Sequence, residues 1–304
     1  MEMFSKLMAL FMSVVTFFTS LATNYKDTVA DLRDSIFAPS VVADFEEKDE
    51  NAIRVMSFNI RYGDLGVYSA EDRYDDVENT IEKGHPDSIG LQEATPEWMA
   101  YLSTALEDYA YVGVGRDDGD NEGEYAAIFY LKDKYTAVDS GTFWLSETPE
   151  TPSMGWGADC YRICTWAVLE NNETGEKYVH INAHFDYAND EVRYNSSRLI
   201  NEKAAEYADM PVVYTADMNF NEGSDYYTSF VNEGILSDAK HIAADTMDYM
   251  TYHDRMPLTH YNNVIDFIMV NNNFDVNVYR VVTANDAGHY VSDHFPLYAD
   301  IVIK

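Results

Sequence analysis

The chain has 304 residues, with 20 Lys and Arg against 53 Asp and Glu, for a formal charge of −33. Hydrophobic residues make up 46% and aromatics 14%, enough for a large core, and with only 15 Gly and 8 Pro the disordered, collagen-like and low-complexity classes are excluded. So high a negative charge repels nucleic-acid phosphates and anionic membranes at long range, which argues against strong non-specific DNA binding and suits a surface that recruits cations.

In chain order, Leu7 to Ala22 (LMALFMSVVTFFTSLA) is an uncharged apolar stretch, too short for a comfortable membrane span and of the length of a signal-peptide core. Ser20 and Ala22 place small residues before a cleavage after Ala22. Residues 1–22 are therefore expected to be a signal peptide or, if retained, an N-terminal apolar anchor. Either puts the body outside the cytoplasm, secreted or membrane-anchored; without one it stays cytoplasmic. Residues 23–51 are polar and acidic and read as a linker, and 52–304 read as one domain. IRVMSFNI (53–60) is a buried strand. Residues 72–84 form a helix stopped by Gly84 and Pro86. DSIGLQE (87–93) is a short strand, and Thr95 with Pro96 caps a helix over 95–109. Strands are expected near 110–114, 125–131, 136–143, 163–170 and 177–183. A helix over 191–208, a strand over 211–217 and a helix over 224–234 come next, before strands near 264–270, 275–283 and 297–303. This α/β (α+β) order predicts two packed mixed sheets flanked by helices. Cys160 and Cys164, about 13 Å apart if on one strand, cannot bridge and read as buried thiols.

Polar residues recur at the ends of these apolar strands: Asn59, Glu93, His184, Asp217 with Asn219, Asp266, and Asp293 with His294. Each alone is explained by a cap or a turn; so many together point to a shared crevice. Asp266 stands out, because an acid inside the buried run VIDFIMV is costly unless it is paired. Carboxylate and amide oxygens suit magnesium or manganese, and histidines suit proton transfer. There is no Cys-His array for zinc, no phosphate-binding G-x-x-x-x-G-K-[ST] loop and no G-x-S-x-G serine elbow. A divalent-cation site suited to phosphoryl chemistry remains. The acidic run DDGDNEGE (117–124) lacks the ligand spacing of a calcium loop and reads as solvated.

MSFNIRYGD (56–64), SIGLQE (88–93), GEYAAIFY (123–130), NAHFD (182–186), TADMN (215–219), VIDFIMV (264–270) and SDHFPL (292–297) stand in an order that resembles the endonuclease/exonuclease/phosphatase superfamily. The match covers about 52–304, and GRDDG (115–119), SGTFWLSETP (140–149) and RICTWA (162–167) resemble a bacterial branch of undefined substrate. The resemblance implies a four-layer, deoxyribonuclease I-like sandwich and a metal-dependent phosphoesterase acting by in-line water attack on a phosphodiester or phosphomonoester. It implies Glu93 as principal metal ligand, with Asn59 and Asp293 close by, and Mg2+ (or Mn2+) as the ion. Asp217 would activate or orient the attacking water, and Asn219 would hold the phosphate or a second cation. His294 oriented by Asp266, and His184 oriented by Glu124, would contact phosphate oxygens and act as acid or base. Arg162 resembles a phosphate-binding arginine. Three departures are visible, one being Ala216-Asp217-Met218-Asn219 where similar sequences read GDFN, a conservative packing change at Met218. Arg61 stands where the abasic-endonuclease branch has a carboxylate, and Tyr187 replaces a histidine common in related bacterial proteins. The expected partner is a phosphate-ester substrate (small molecule, lipid headgroup or nucleic acid) taken by a monomer. An extracytoplasmic nuclease, a sphingomyelinase-type phosphodiesterase and a non-catalytic binding protein on the same fold are the alternatives.

Overall fold

The computed structural model describes residues 39, 42–254, 263–284, 287 and 289–304; the expected signal or anchor at 1–22 lies outside them. Strand β1 (Ile53–Asn59) leads through a short 3-10 turn (Glu71–Arg73) to α1 (Tyr74–Gly84), β2 (Ser88–Gln92), α2 (Pro96–Ala105), β3 (Tyr109–Val112), β4 (Ile128–Leu131) and β5 (Tyr135–Trp144). Then come β6 (Ile163–Asn171), β7 (Lys177–His184), α3 (Asp190–Glu206), β8 (Val212–Asp217), α4 (Asp225–Glu233), β9 (Ser237–Asp238), α5 (Ala239–Ile242) and β10 (Asp245–Thr246). Strands β11 (Asp266–Val270), β12 (Phe274–Val281) and β13 (Leu297–Ile303) complete the chain. The short β9, α5 and β10 had no sequence signal. Among the described residues no helix is long and apolar enough to cross a membrane.

One sheet runs β10-β12-β13-β1-β2-β4-β3 and the other β5-β6-β7-β8-β11-β9. Both are mixed: β1 runs parallel to β2 and β7 parallel to β8, while β13, β4, β6 and β11 pair antiparallel with their neighbours. The sheets face each other through β1, β2, β7, β8 and β11. Helices α1 and α2 bury Val77, Ile81, Trp98 and Leu102 against the first sheet, and α3 and α4 bury Ile200, Ala204 and Phe230 against the second. The result is the four-layer α/β/β/α sandwich expected from the element order.

Local signals hold with one instructive exception. Thr95, Asn189 and Ser224 cap α2, α3 and α4 by accepting from Trp98 N, Val192 N and Tyr227 N. At the end of α1, however, the left-handed residue is His85 (φ 42°), not Gly84. Gly84 is glycine because the Phe45 ring lies where its β-carbon would be, 2.6 Å away. That contact brings in the end of the acidic segment expected to be a linker. Ala43 N donates to Thr283 Oγ1, the Phe45 ring stacks on Tyr298 at 5.5 Å, and Lys48 pairs with the buried Asp87. Residues 43–48 thus belong to the packed body.

A polar seam crosses the space between the sheets. Gln92 Nε2 donates to Asn182 Oδ1 (2.7 Å), which also accepts from Thr215 Oγ1 (3.1 Å). His180 bridges Thr215 Oγ1 and Ser88 Oγ at 2.9 and 2.8 Å. Burial drives the His180 pKa down to about 3, so the ring is neutral. Strand β2 passes so close that a β-carbon on Gly90 would collide with Thr215 and Asn182. Hydrogen-bonded polar groups in a core resist sliding, because another register breaks these pairs. Gln92 precedes Glu93, and Asn182 and Thr215 lie two residues before His184 and Asp217 on the same strand faces. The seam therefore sets one sheet's site residues against the other's.

Candidate active site

The site lies at one edge of the sandwich. On the second sheet His184, Asp217 and Asp266 form a row, since Asp217 is the Cα partner of both others. On the first, Asn59 ends β1 beside Gln92, the residue before Glu93. The Ser292–His294 turn before β13 is pinned by Ser292 Oγ, which donates to Asn59 O at 2.7 Å.

Asn59 joins the two sheets. Its Nδ2 donates to Glu93 Oε1 (3.1 Å) and Asp217 Oδ2 (2.9 Å), and its Oδ1 accepts from Arg61 N (3.0 Å). Glu93 Oε2 accepts from Tyr62 N at 2.8 Å. Both Asp266 oxygens face His294 Nδ1, at 2.9 and 3.1 Å, and His294 Nε2 lies 3.8 Å from Asp217 Oδ2. Burial opposes a charge on His294, but Asp266, Asp217 and Asp293 outweigh it and raise its pKa, so this imidazole is cationic at neutral pH. Burial and the neighbouring Asp266 raise the Asp217 carboxyl.

His184 is the opposite case. Burial, then Arg162, Arg116 and the cationic His294, hold its pKa well below the usual value. Asn219 Nδ2 donates both to Phe185 O (2.9 Å) and to His184 Nε2 (3.0 Å). The carbonyl fixes which way the amide points, so Nε2 of the neutral ring accepts and Nδ1 carries the proton. His184 Nε2 lies 3.5 Å from Asp217 Oδ2, so the two imidazoles flank that carboxylate. Glu124 does not hydrogen-bond His184 as expected. It stops 3.9 Å short of Nδ1, because Arg116 grips both its oxygens in a fork at 2.8 and 2.9 Å. His184 Nδ1 is buried without a partner. Arg162 is also buried; its Nε is 3.6 Å from Asp186 Oδ2, and Nε and Nη1 have no hydrogen-bond partner. Unpaired, buried guanidinium donors beside the neutral His184 suit an arriving anion.

The expected residues therefore gather at one edge, with Glu124 and Arg162 set behind His184. Sequence reasoning missed Arg73 and the role of Arg116. Arg116 was visible within GRDDG, but nothing in the acidic run DRYDD marks Arg73 as fully buried. Among the described residues, two sets of acidic and histidine side chains come close enough to share an ion: Asp217, Asp266 and His294, and, away from the site, Glu222, Asp238 and His241. In the first, one His294 N–H occupies both Asp266 oxygens and the ring is a cation, so it works as an ion pair. In the second, the Lys240 ammonium already sits on Glu222. Glu93 and Asp293 offer carboxylate oxygens with lone pairs to spare, a donor set that fits a hard divalent cation, while the Asn59 amide beside them holds Glu93 and Asp217 through Nδ2.

The sequence matches the model of the Endonuclease/Exonuclease/phosphatase family over residues 56–294. The chain belongs to this family. A solved endonuclease/exonuclease/phosphatase protein of Bacteroides vulgatus is 36% identical, with 84% of this chain and 100% of that chain covered and a TM-score of 0.79. A mannosyl-6-phosphatase of Bacteroides thetaiotaomicron is 32% identical, covering 83% of this chain and 100% of that chain with a TM-score of 0.77. An uncharacterized protein of Acanthamoeba polyphaga mimivirus is 31% identical over 134 residues, 42% of this chain; the match spans 50% of that relative's length. As a family member the protein is a phosphoric ester hydrolase, and the fold expected from the motifs is the one observed.

Proposed function

We propose that the protein is a divalent-metal-dependent phosphoesterase that hydrolyses a small phosphorylated molecule by in-line attack of water. The observation that carries this reading is the meeting, at one sheet edge, of an oxygen-only acidic set with two imidazoles that flank Asp217 at 3.5 and 3.8 Å. Glu93, with Asn59 and Asp293, would hold magnesium, manganese being the alternative. The bound ion would polarise a non-bridging phosphate oxygen and offset the charge that develops in the transition state. Asp217 orients the attacking water. Asp266 keeps His294 protonated and aimed, so that Nε2–H donates to a phosphoryl oxygen or to the leaving group. Asn219, the neutral His184 and the unpaired donors of Arg162 bind the remaining oxygens.

The charge of −33 argues against long duplex DNA as substrate, and the likeness to a mannosyl-6-phosphatase favours a phosphorylated sugar. The apolar stretch Leu7–Ala22 supports export, which N-terminal sequencing of the mature protein tests. For the activity, the purified protein is given p-nitrophenyl phosphate, mannose 6-phosphate, bis(p-nitrophenyl) phosphate, single- and double-stranded DNA and sphingomyelin, with Mg2+ or with chelator. Turnover of at least one ester that needs Mg2+ is expected. Turnover that survives complete chelation would overturn the metal assignment, and none on any ester would overturn the proposal.

A further inference from the structure

Arg61 is a charge at the mouth of the site that the scheme above does not use. Its backbone is left-handed (φ 59°), a conformation a bulky side chain keeps only where its surroundings impose it. Here they do. Arg61 N–H donates to Asn59 Oδ1, and the buried Arg73 guanidinium donates to the carbonyls of Ile60, Arg61 and Gly63 at 2.7–2.8 Å. This clamp holds the Arg61 guanidinium 3.6 Å from Asp293 Oδ2 and 4.8 Å from the centre of the Tyr62 ring. The charges of Asp293 and Glu93 bear on it, as does the Tyr252 side chain, whose ring packs on His294 at 4.9 Å. Its side chain is 33% exposed, and its buried Nε has no hydrogen-bond partner. The neighbouring arginines differ: Arg73 is committed to backbone carbonyls and Arg116 to Glu124.

We propose that Arg61 reads the second negative charge of a phosphomonoester, making this site a monoesterase rather than a diesterase. The inference rests on the phosphoesterase reading above and narrows its substrate class. A monoester carries about −1.5 to −2 charges at neutral pH and three terminal oxygens. A diester has one charge and two terminal oxygens, its third oxygen being esterified. The ion that Glu93 would hold and the donors on the His184 side would serve the oxygens that both esters share. A fixed guanidinium on the Glu93–Asp293 side adds planar donors for the third oxygen. In a diester the same place meets an uncharged oxygen with a substituent, and the guanidinium loses its partner.

The test compares wild-type protein with Arg61→Gln and Arg61→Lys. It measures kcat/KM with Mg2+ on p-nitrophenyl phosphate and on bis(p-nitrophenyl) phosphate, and the Kd of inorganic phosphate by calorimetry. Wild type should favour the monoester. Arg61→Gln should cut the monoester-to-diester ratio about 10- to 100-fold, mainly through the monoester KM, and weaken phosphate binding to match. Arg61→Lys, with its charge but no fork, should fall between. A ratio and a phosphate Kd that Arg61→Gln leaves within threefold of wild type overturn the inference, as does an equal loss on both esters. If wild type hydrolyses none of the esters offered above, the phosphoesterase reading fails by itself, and the phosphate Kd still decides whether Arg61 is an anion-reading group.

Discussion

Replacing Arg73 should separate a positioning role from simple packing. The side chain is fully buried, and its guanidinium donates to four backbone carbonyls: Ile60 and Val291 through Nη1, Arg61 and Gly63 through Nη2, all at 2.7–2.8 Å. Burying the charge works against it, and the Arg73 pKa falls to about 10 for that reason. Truncation to Ala removes the charge and that penalty but orphans four carbonyls. At about 1 kcal/mol each, once water has entered the space, the loss is about 4 kcal/mol. That is a large part of the 5–15 kcal/mol typical of a folded domain, yet the variant should still fold. Lys, which reaches about half of the carbonyls, should lose about 2 kcal/mol. These carbonyls belong to the loops that carry Arg61, Tyr62 and the Ser292–His294 turn, so Mg2+ affinity should fall about 10- to 100-fold in Arg73→Ala. Urea unfolding at unchanged m-value and Mg2+ calorimetry read the two effects. Arg73→Ala within 1 kcal/mol of wild type would refute the energetic reasoning, as estimated from these bonds. Lost stability with unchanged Mg2+ affinity would refute the positioning role.

Asp266→Asn should lower kcat by about 10²- to 10⁴-fold with an unaltered circular dichroism spectrum, since it removes the charge that holds His294 protonated and aimed; a kcat within threefold of wild type contradicts this. Glu93→Ala should weaken Mg2+ binding and cut turnover by orders of magnitude, whereas His294→Ala should cut turnover and keep Mg2+ binding, a contrast that calorimetry beside steady-state kinetics resolves. Burial alone would raise the pKa of Asp87, but Lys48, Lys134 and the Arg54 N–H more than reverse this and hold it below the usual carboxylate value. The unfolded chain therefore takes up this proton at a higher pH than the folded one. The stability gained is present above the unfolded pKa of about 3.9 and disappears as pH falls through the lower folded value. Urea midpoints should thus drop more steeply below pH 4 in wild type than in Asp87→Asn, which should be about 3 kcal/mol less stable at pH 7; parallel pH profiles would count against the assignment.

Where a residue's role depends on neighbours a few positions away, its local sequence already tells it. The buried run of β1, the Thr95-Pro96 helix start and the Ser224 and Gly234 bounds of α4 are all visible without a structure. Gly84 shows the limit: a glycine at a helix end suggests a left-handed cap, but a phenylalanine from 39 residues earlier decided its identity, and His85 took the strained backbone. The acidic stretch before β1 misled for the same reason. Its composition is that of a linker, yet Phe45, Glu46 and Lys48 find Tyr298, Arg280 and Asp87, partners that composition does not contain.

By itself the sequence determined the α/β element order, the buried strands and the chemical kinds of side chain at their ends, because hydrophobic period and motif order are properties of the chain. It could not determine which charges meet. Only the folded sandwich decided that Arg116 rather than His184 has Glu124, and that Arg73 lies buried beneath the loop that presents Arg61. Hydrogen bonds act only at contact distance, and the pairing of individual charges is decided within about 10 Å. Residues far apart in sequence acquire their protonation states and partners only when the two sheets close.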